Sequence, residues 1–300
     1  MSDGSGLLDP GFVRELEALR RRVQVRARSG GAGEHTAKRR GGSAEFQEHR
    51  PYVPGDDLRR VDWLAYARTG EPVVKLFRAE EDVVLRLLID GSASLGFGDP
   101  SKLEVARRIG AALGYLALAG SQRVQVMVAQ PRAGADSGAL GRVGSPRRGR
   151  GGLPALLREL QQIDAHGAVE LATAIDQTLQ RAARPGVLVV LSDFFDAGPV
   201  LAALSRARAA GHDLFLIQVL ARNEIEPDFE GDFALVDAET GQTVDVTLDP
   251  SAVDAYVLRL TGLIEELRAF CKRHGASYLR TTTDEPLDGV IRRFVERAVD

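Results

Sequence analysis

What the sequence lacks narrows the possibilities first. It has one cysteine, Cys271, in 300 residues. A lone thiol makes no internal disulfide, so a reducing compartment, the cytoplasm, is expected. No apolar run approaches the ~20 residues needed to cross a bilayer. The longest, Ile109 to Ala119, is short and rich in Gly and Ala. The amino end, MSDGSGLLDPGF, has no basic stretch leading into an apolar one, so no secretory signal is expected. There is no basic surplus either: the formal net charge is -3, which argues against a nucleic-acid partner. No Gly-rich phosphate loop with a lysine occurs. The histidines are few: His35, His49, His166, His212 and His274.

What is present is a repeating grammar. Val83-Val84-Leu85-Arg86-Leu87-Leu88-Ile89 is a near-continuous apolar run ending at Asp90, as in strands buried on both faces of a parallel sheet. Ser101-Lys102-Leu103-Glu104 reads as a capping box opening a helix to about Ala119, and Gly120 closes it before the strand Val124 to Val128. Gly186 leads into Val187 to Leu191, and a helix stopped at Gly211 leads into Leu214 to Val219. Asp249-Pro250 opens another helix, which stops at Gly275 before Ser277 to Arg280, and Pro286 begins a last one to about Ala298. Helix, Gly stop and short apolar strand together predict an α/β fold with a doubly wound, mainly parallel sheet. Two stretches interrupt it. Residues 131–152, Gly- and Arg-rich, predict a mobile loop. Residues 232–248 alternate around Thr240-Gly241 and predict a hairpin.

The amino-terminal part reads differently. Asp9-Pro10 resembles a helix start, followed by Phe12, Leu16 and Leu19 at helical spacing and by Arg20-Arg21-Arg22. Residues 29–43 read as a polar loop, Glu45 to Arg68 as irregular chain with turns, one short helix and an extended piece, and Val73 to Phe77 as a strand. Residues 1–79 are thus expected to form an amino-terminal helix and segment packed on a sheet domain of residues 80–300. Trp63, the one tryptophan, lies in an apolar gap between charged neighbours and is expected to be buried against that domain.

In an open α/β sheet, ligands bind outside the carboxyl ends of the strands. Asp90-Gly91-Ser92-Ala93-Ser94 follows the first strand, and Ser192-Asp193-Phe194-Phe195-Asp196 follows a later one. Asp90, Ser92, Ser94 and Asp193 offer hard oxygens, suited to Mg²⁺ or Mn²⁺ rather than Zn²⁺. The plainer reading is that Asp90 and the serines cap the next helix. A hydrolase using Asp90 or Ser92 is a third reading. A nucleophile elbow needs Gly where Ser92 stands, and a haloacid-dehalogenase-like phosphatase needs Asp there. Only His166 could serve such a serine, because His212 and His274 precede strands at the opposite edge. Cys271, late in a helix, reads as packing.

Asp-x-Ser-x-Ser with a later Asp resembles the metal-ion-dependent adhesion site of von Willebrand factor A domains. That resemblance implies Asp90, Ser92 and Ser94 on the first loop, Asp193 on the third, and a threonine from a second loop. The corresponding segment here is Gly167-Ala168-Val169-Glu170-Leu171, with Val169 at the threonine position and Thr173 about one helical turn further on. A second resemblance covers residues from about 35 to the end. Arg50-Pro51-Tyr52-Val53-Pro54-Gly55-Asp56-Asp57-Leu58-Arg59-Arg60-Val61-Asp62-Trp63, followed by Ala67-Arg68, is similar to the signature of the bacterial domain of unknown function 58 family. The acids and arginines of this segment predict a structural ion-pair network. The family resemblance implies a von Willebrand A-like domain, a non-enzymatic interaction role, and a MoxR-type AAA+ ATPase as partner in chaperone-like or complex-assembly work. A metal-free scaffold is the alternative.

Overall fold

The computed structural model describes residues 11–14, 16–18, 44–79, 83–131, 137–195, 197–227, 231–239 and 241–299. The expected helix start at Asp9-Pro10, Leu19, the run Arg20-Arg21-Arg22, the loop over 29–43 and Thr240 lie outside them. The chain divides into two compact units, residues 31–82 and residues 1–30 with 83–300.

The larger unit holds strands β1 (Val84–Asp90), β2 (Arg123–Ala129), β3 (Leu140–Val143), β4 (Val187–Ser192), β5 (Asp213–Leu220) and β6 (Ser277–Thr282). Its main helices are α1 (Lys102–Ala119), α2 (Leu153–Gln161), α3 (Leu171–Arg181), α4 (Ala197–Ala209), α5 (Pro250–His274) and α6 (Leu287–Val299). The strand order is β6-β5-β4-β1-β2-β3. The five strands from β6 to β2 run parallel, while β3 and the short strand Arg147–Arg148 lie antiparallel on β2. This is the doubly wound, mainly parallel sheet that the sequence pattern predicts.

The near-continuous apolar runs have a simple cause. Along β1, Leu85, Leu87 and Ile89 enter one apolar cluster, shared with α1, α2, α6, Phe12 and Leu16. Leu88 enters the other, shared with α3, α4 and α5. In β4, Val189 and Leu191 go one way and Leu188 and Val190 the other. A strand covered by helices on both faces has no solvated side on which to put polar residues. The helix stops follow the sequence too: Ser101 Oγ accepts from Glu104 N at 3.2 Å, Asp249 caps α5, and Gly275 closes it at φ 61°. Helix α1 is rich in small residues because it lies close to its neighbours. A Cβ at Gly110 would meet Ile89 Cδ1 at 3.4 Å, and one at Gly114 would run into Leu156.

Within 131–152, residues 137–152 depart from the expected mobile loop, and 132–136 lie outside the described residues. From Leu140 onward they supply the sheet's antiparallel edge, with Leu140 buried and Arg147 ion-paired to Glu159. An edge strand needs apolar residues on one face only, so the Gly- and Arg-rich composition conceals it. The hairpin is present as expected, with Gly231–Val236 antiparallel to Thr243–Leu248. Cys271 is buried and free, and burial pushes its thiol up to about 12.

In the smaller unit, the expected extended piece is the strand Ala44–Pro51, which pairs antiparallel with Val73–Ala79. Between them lies the helix Trp63–Thr69, capped by Asp62, which accepts from Leu64 N and Ala65 N. The expected ion-pair network forms in part. Arg50 pairs with Asp56 at 2.8 Å, and Asp62 pairs with His49 and Lys75, while Asp57 instead caps the turn Leu58–Arg60. The expectation for Trp63 fails: it is 59% exposed, its ring edge-on to Tyr66 at 6.2 Å. Leu64 is exposed as well. A two-stranded ribbon with one short helix has too little interior to enclose a tryptophan. Among the described residues, no helix is long and apolar enough to cross a membrane.

Candidate functional site

The chain leaves β1 toward β2 on one side and later builds β4, β5 and β6 outward on the other. The sheet's switch point therefore lies between β1 and β4, where parallel α/β sheets open a crevice at their carboxyl edge. Asp90 ends β1, and Asp193 follows β4 directly. The two carboxylates lie at one edge, as the sequence predicts.

The first loop is fixed by backbone. Gly91 N donates to Ala129 O at 2.7 Å, His166 N to Gly91 O at 3.0 Å, and Ala93 N to Gly167 O at 2.9 Å. A Cβ on Gly91 would meet Ala129 O at 3.1 Å and Asp164 O at 3.4 Å, so the loop after β1 and the loop at 164–167 close on a glycine. Asp90 Oδ1 accepts from Ser92 N at 2.9 Å, and Asp90 Oδ2 accepts from Ser192 Oγ at 2.6 Å. Ser94 Oγ donates to Asp193 Oδ2 at 3.0 Å. The Ser92 and Ser94 hydroxyls lie 3.0 Å apart. A serine has one proton to give, and that of Ser94 is used, so Ser92 is the donor between them. All four expected residues thus form one connected set.

A strained turn aims Asp193. Phe194 adopts φ 56°, a left-handed conformation that costs a side-chain-bearing residue on the order of 1–3 kcal/mol. Its N–H donates to Ser192 Oγ at 3.0 Å, and its ring is buried. Behind the site, Gln218 Nε2 donates to Asp193 O at 2.7 Å, and the Tyr278 hydroxyl donates to Gln218 Oε1.

Two residues that sequence reasoning missed complete the site. Lys102, the first residue of α1, is buried, and its Nζ donates to Asp193 Oδ2 at 2.8 Å and to Glu224 Oε1 at 2.7 Å. The ring of Phe195 lies 5.0 Å from the same nitrogen. Glu224 follows β5, and its other oxygen accepts from Ala221 N at 2.7 Å. A signal for Lys102 existed: a lysine in the first turn of a helix sits at the wrong end of the helix dipole. Glu224 obeys the strand-end rule that located Asp90 and Asp193.

Burial, reinforced by the nearby Asp193 charge, raises Asp90 to about 6. Burial also raises Glu224, against the opposing pull of Lys102. Tyr256 is pushed up to about 12 by burial and by the Glu224 and Asp193 charges.

The donor set does not fit a divalent cation beside this lysine. Asp193 Oδ2 already accepts from Ser94 and from Lys102, and Oδ1 accepts from Phe195 N at 3.3 Å. Like unit charges 4 Å apart repel by roughly 4 kcal/mol at an intermediate dielectric, and a dication doubles that. Val169 packs against the apolar cluster of α3 to α5, and Thr173 Oγ1 donates to Glu170 Oε2 at 3.0 Å.

A family model described as "Protein of unknown function DUF58" matches residues 48–259. An uncharacterized protein of Mycobacterium tuberculosis, Rv1480, is 32% identical over 294 residues, covering 96% of this chain and 90% of that one. A fragment-length match to MAV169 of Mycobacterium avium is 33% identical and covers 42% of this chain and 75% of that one. Among solved structures, a conserved hypothetical protein BatB from Bacteroides thetaiotaomicron is similar at TM-score 0.43 and 14% identity, covering 73% of this chain and 100% of that one. An aerotolerance-related membrane protein from Bacteroides fragilis is similar at TM-score 0.44 and 16% identity, covering 72% and 98%.

Proposed function

The chain belongs to the DUF58 family, and from that premise we propose that it is a non-enzymatic protein-interaction module that binds through the carboxyl edge of its sheet. One observation carries the reading. Phe97 and Phe195 are 48% and 44% exposed, and each touches Lys102 of the charge cluster, one through its main chain and one through its ring. Phe97 O accepts from Lys102 N at 2.9 Å, and the Phe195 ring faces the same lysine. Exposed aromatics over a rigid, hydrogen-bonded floor are the features of a binding hot spot.

The hydrolase reading has little support. The Ser94 hydroxyl is committed to Asp193, and that of Ser92 to Ser94. His166 is exposed, and its ring faces Asp164 O. His212 and His274 lie at the amino ends of β5 and β6, His49 pairs with Asp62 in the smaller unit, and His35 is outside the described residues.

The partner we propose is a MoxR-type AAA+ ATPase in the cytoplasm, which the family resemblance implies, with no nucleic acid involved. The metal-free scaffold, rather than the metal-dependent one, matches the chemistry of the edge. The test is capture of a purified MoxR-type ATPase on the immobilised chain, with Phe97→Asp and Phe195→Asp alongside. Each substitution is expected to weaken binding at least about tenfold, a loss of roughly 1.4 kcal/mol. Equal binding by wild type and both variants refutes this surface, and no binding refutes this partner.

A further inference from the structure

We infer that the ammonium of Lys102 is the permanent cation of this edge, so that the adhesion-type site is built to work without a metal ion. The inference deepens the reading of the edge as a binding surface and rests on it only for the role of the site, since its test needs no partner.

The position of Lys102 is costly without such a role. It opens α1, where the helix dipole disfavours a positive charge, and it is 1% exposed, where an unpaired ammonium is strongly disfavoured. An aliphatic residue would serve the helix as well. What the lysine gains is specific: Asp193 and Glu224 accept from it at 2.8 and 2.7 Å, and the Phe195 ring covers it at 5.0 Å. An ammonium has three hydrogens to place, and two go to carboxylates from two different strand ends. Glu224 is held toward it by the hydrogen bond from Ala221 N.

The same inference accounts for Val169. A hard dication wants about six oxygens around it. An ammonium is satisfied with three acceptors, so a hydroxyl from the loop before α3 is superfluous, and the position is free to pack into the apolar cluster. Valine for threonine and lysine for metal are then one change, not two defects.

The experiment titrates Mg²⁺ and Mn²⁺ into the full chain and into Lys102→Ala, following melting temperature and binding heat, with EDTA as the reverse arm. The wild type is expected to show no heat and no shift with either ion or with EDTA. Lys102→Ala leaves Ser94, Asp193 and Glu224 around a vacated volume. It is expected to gain Mn²⁺ binding, with a rise of about 5 °C at ~100-fold excess over Kd. Adding Glu224→Gln should remove most of that gain. If Lys102→Ala is unfolded alone, millimolar Mn²⁺ should restore its near-ultraviolet dichroism. Metal binding by the wild type overturns the inference. So does a Lys102→Ala protein that neither binds Mn²⁺ when folded nor recovers with it when unfolded. Partner capture can succeed or fail independently of either outcome.

Discussion

Ser192 reaches across the switch point of the sheet to donate its hydroxyl proton to Asp90 Oδ2 at 2.6 Å, joining the ends of β4 and β1. That bond and the one from Ser92 N oppose a burial that raises Asp90 to about 6 from 3.8. A carboxyl whose folded value is raised stabilises the fold below its unfolded value and loses that contribution as pH rises through the folded one. Wild-type stability is therefore expected to carry a component that falls between about pH 4 and 6, on the order of 3 kcal/mol. Asp90→Asn keeps an acceptor for Ser192 and abolishes that component. Urea unfolding of both proteins at pH 4, 5, 6 and 7 (chosen, by order of magnitude, about the two values) checks it: the difference between them must grow with pH. Parallel profiles would contradict the assignment.

Val169→Thr inserts a hydroxyl where an apolar cluster now packs. It is expected to cost about 1 kcal/mol of stability and to create no divalent-cation binding while Lys102 is present. In the Lys102→Ala background the same substitution should tighten Mn²⁺ binding, because the missing oxygen then has a cation to meet. Calorimetry on the single and double variants distinguishes these outcomes.

Trp63 is the sole fluorophore of its type and is 59% exposed. Its emission is expected to be red-shifted and readily quenched by acrylamide. Trp63→Ala should cost under ~1 kcal/mol, against the ~3–5 kcal/mol lost when a buried tryptophan is truncated. A quencher-resistant spectrum or a large drop in melting temperature would show the ring to be enclosed.

Two helical glycines should respond oppositely to alanine. Gly262 in α5 has nothing within 4 Å of its added Cβ, so Gly262→Ala should stabilise by about 0.5–1 kcal/mol. At Gly114 the Cβ runs into Leu156. An overpacking cost of ~1–3 kcal/mol then outweighs the helix-propensity gain of up to ~1 kcal/mol. Thermal melts of both variants test the close approach of α1 to α2.

The sheet was legible because its strands divide their side chains between two cores, which leaves an unmistakable apolar run. Asp90 and Asp193 were legible because carboxyl-edge placement follows from strand order. Lys102 was less so: capping explains Ser101 and Glu104 but not the lysine, whose misfit with the helix dipole marks it as unusual without saying toward which neighbours it turns. Glu224 obeys the strand-end rule, but it shares its short charged segment with Glu226, and the rule does not choose between the two acids. The edge strand at Leu140 and the exposure of Trp63 share a cause: both depend on how much structure lies beside the residue, and local sequence does not carry that.

The pair formed by Tyr278 and Gln218 has a consequence for direction. An amide side chain can be turned end for end, and its two faces ask for opposite partners. Burial pushes the Tyr278 phenol up to about 12, so at neutral pH it keeps its proton. A protonated phenol has one proton to give, and Gln218 Oε1 is its acceptor. That leaves the amide nitrogen toward Asp193 O. One proton on the outermost strand thus fixes the sense of a two-step relay that ends at the main chain of Asp193.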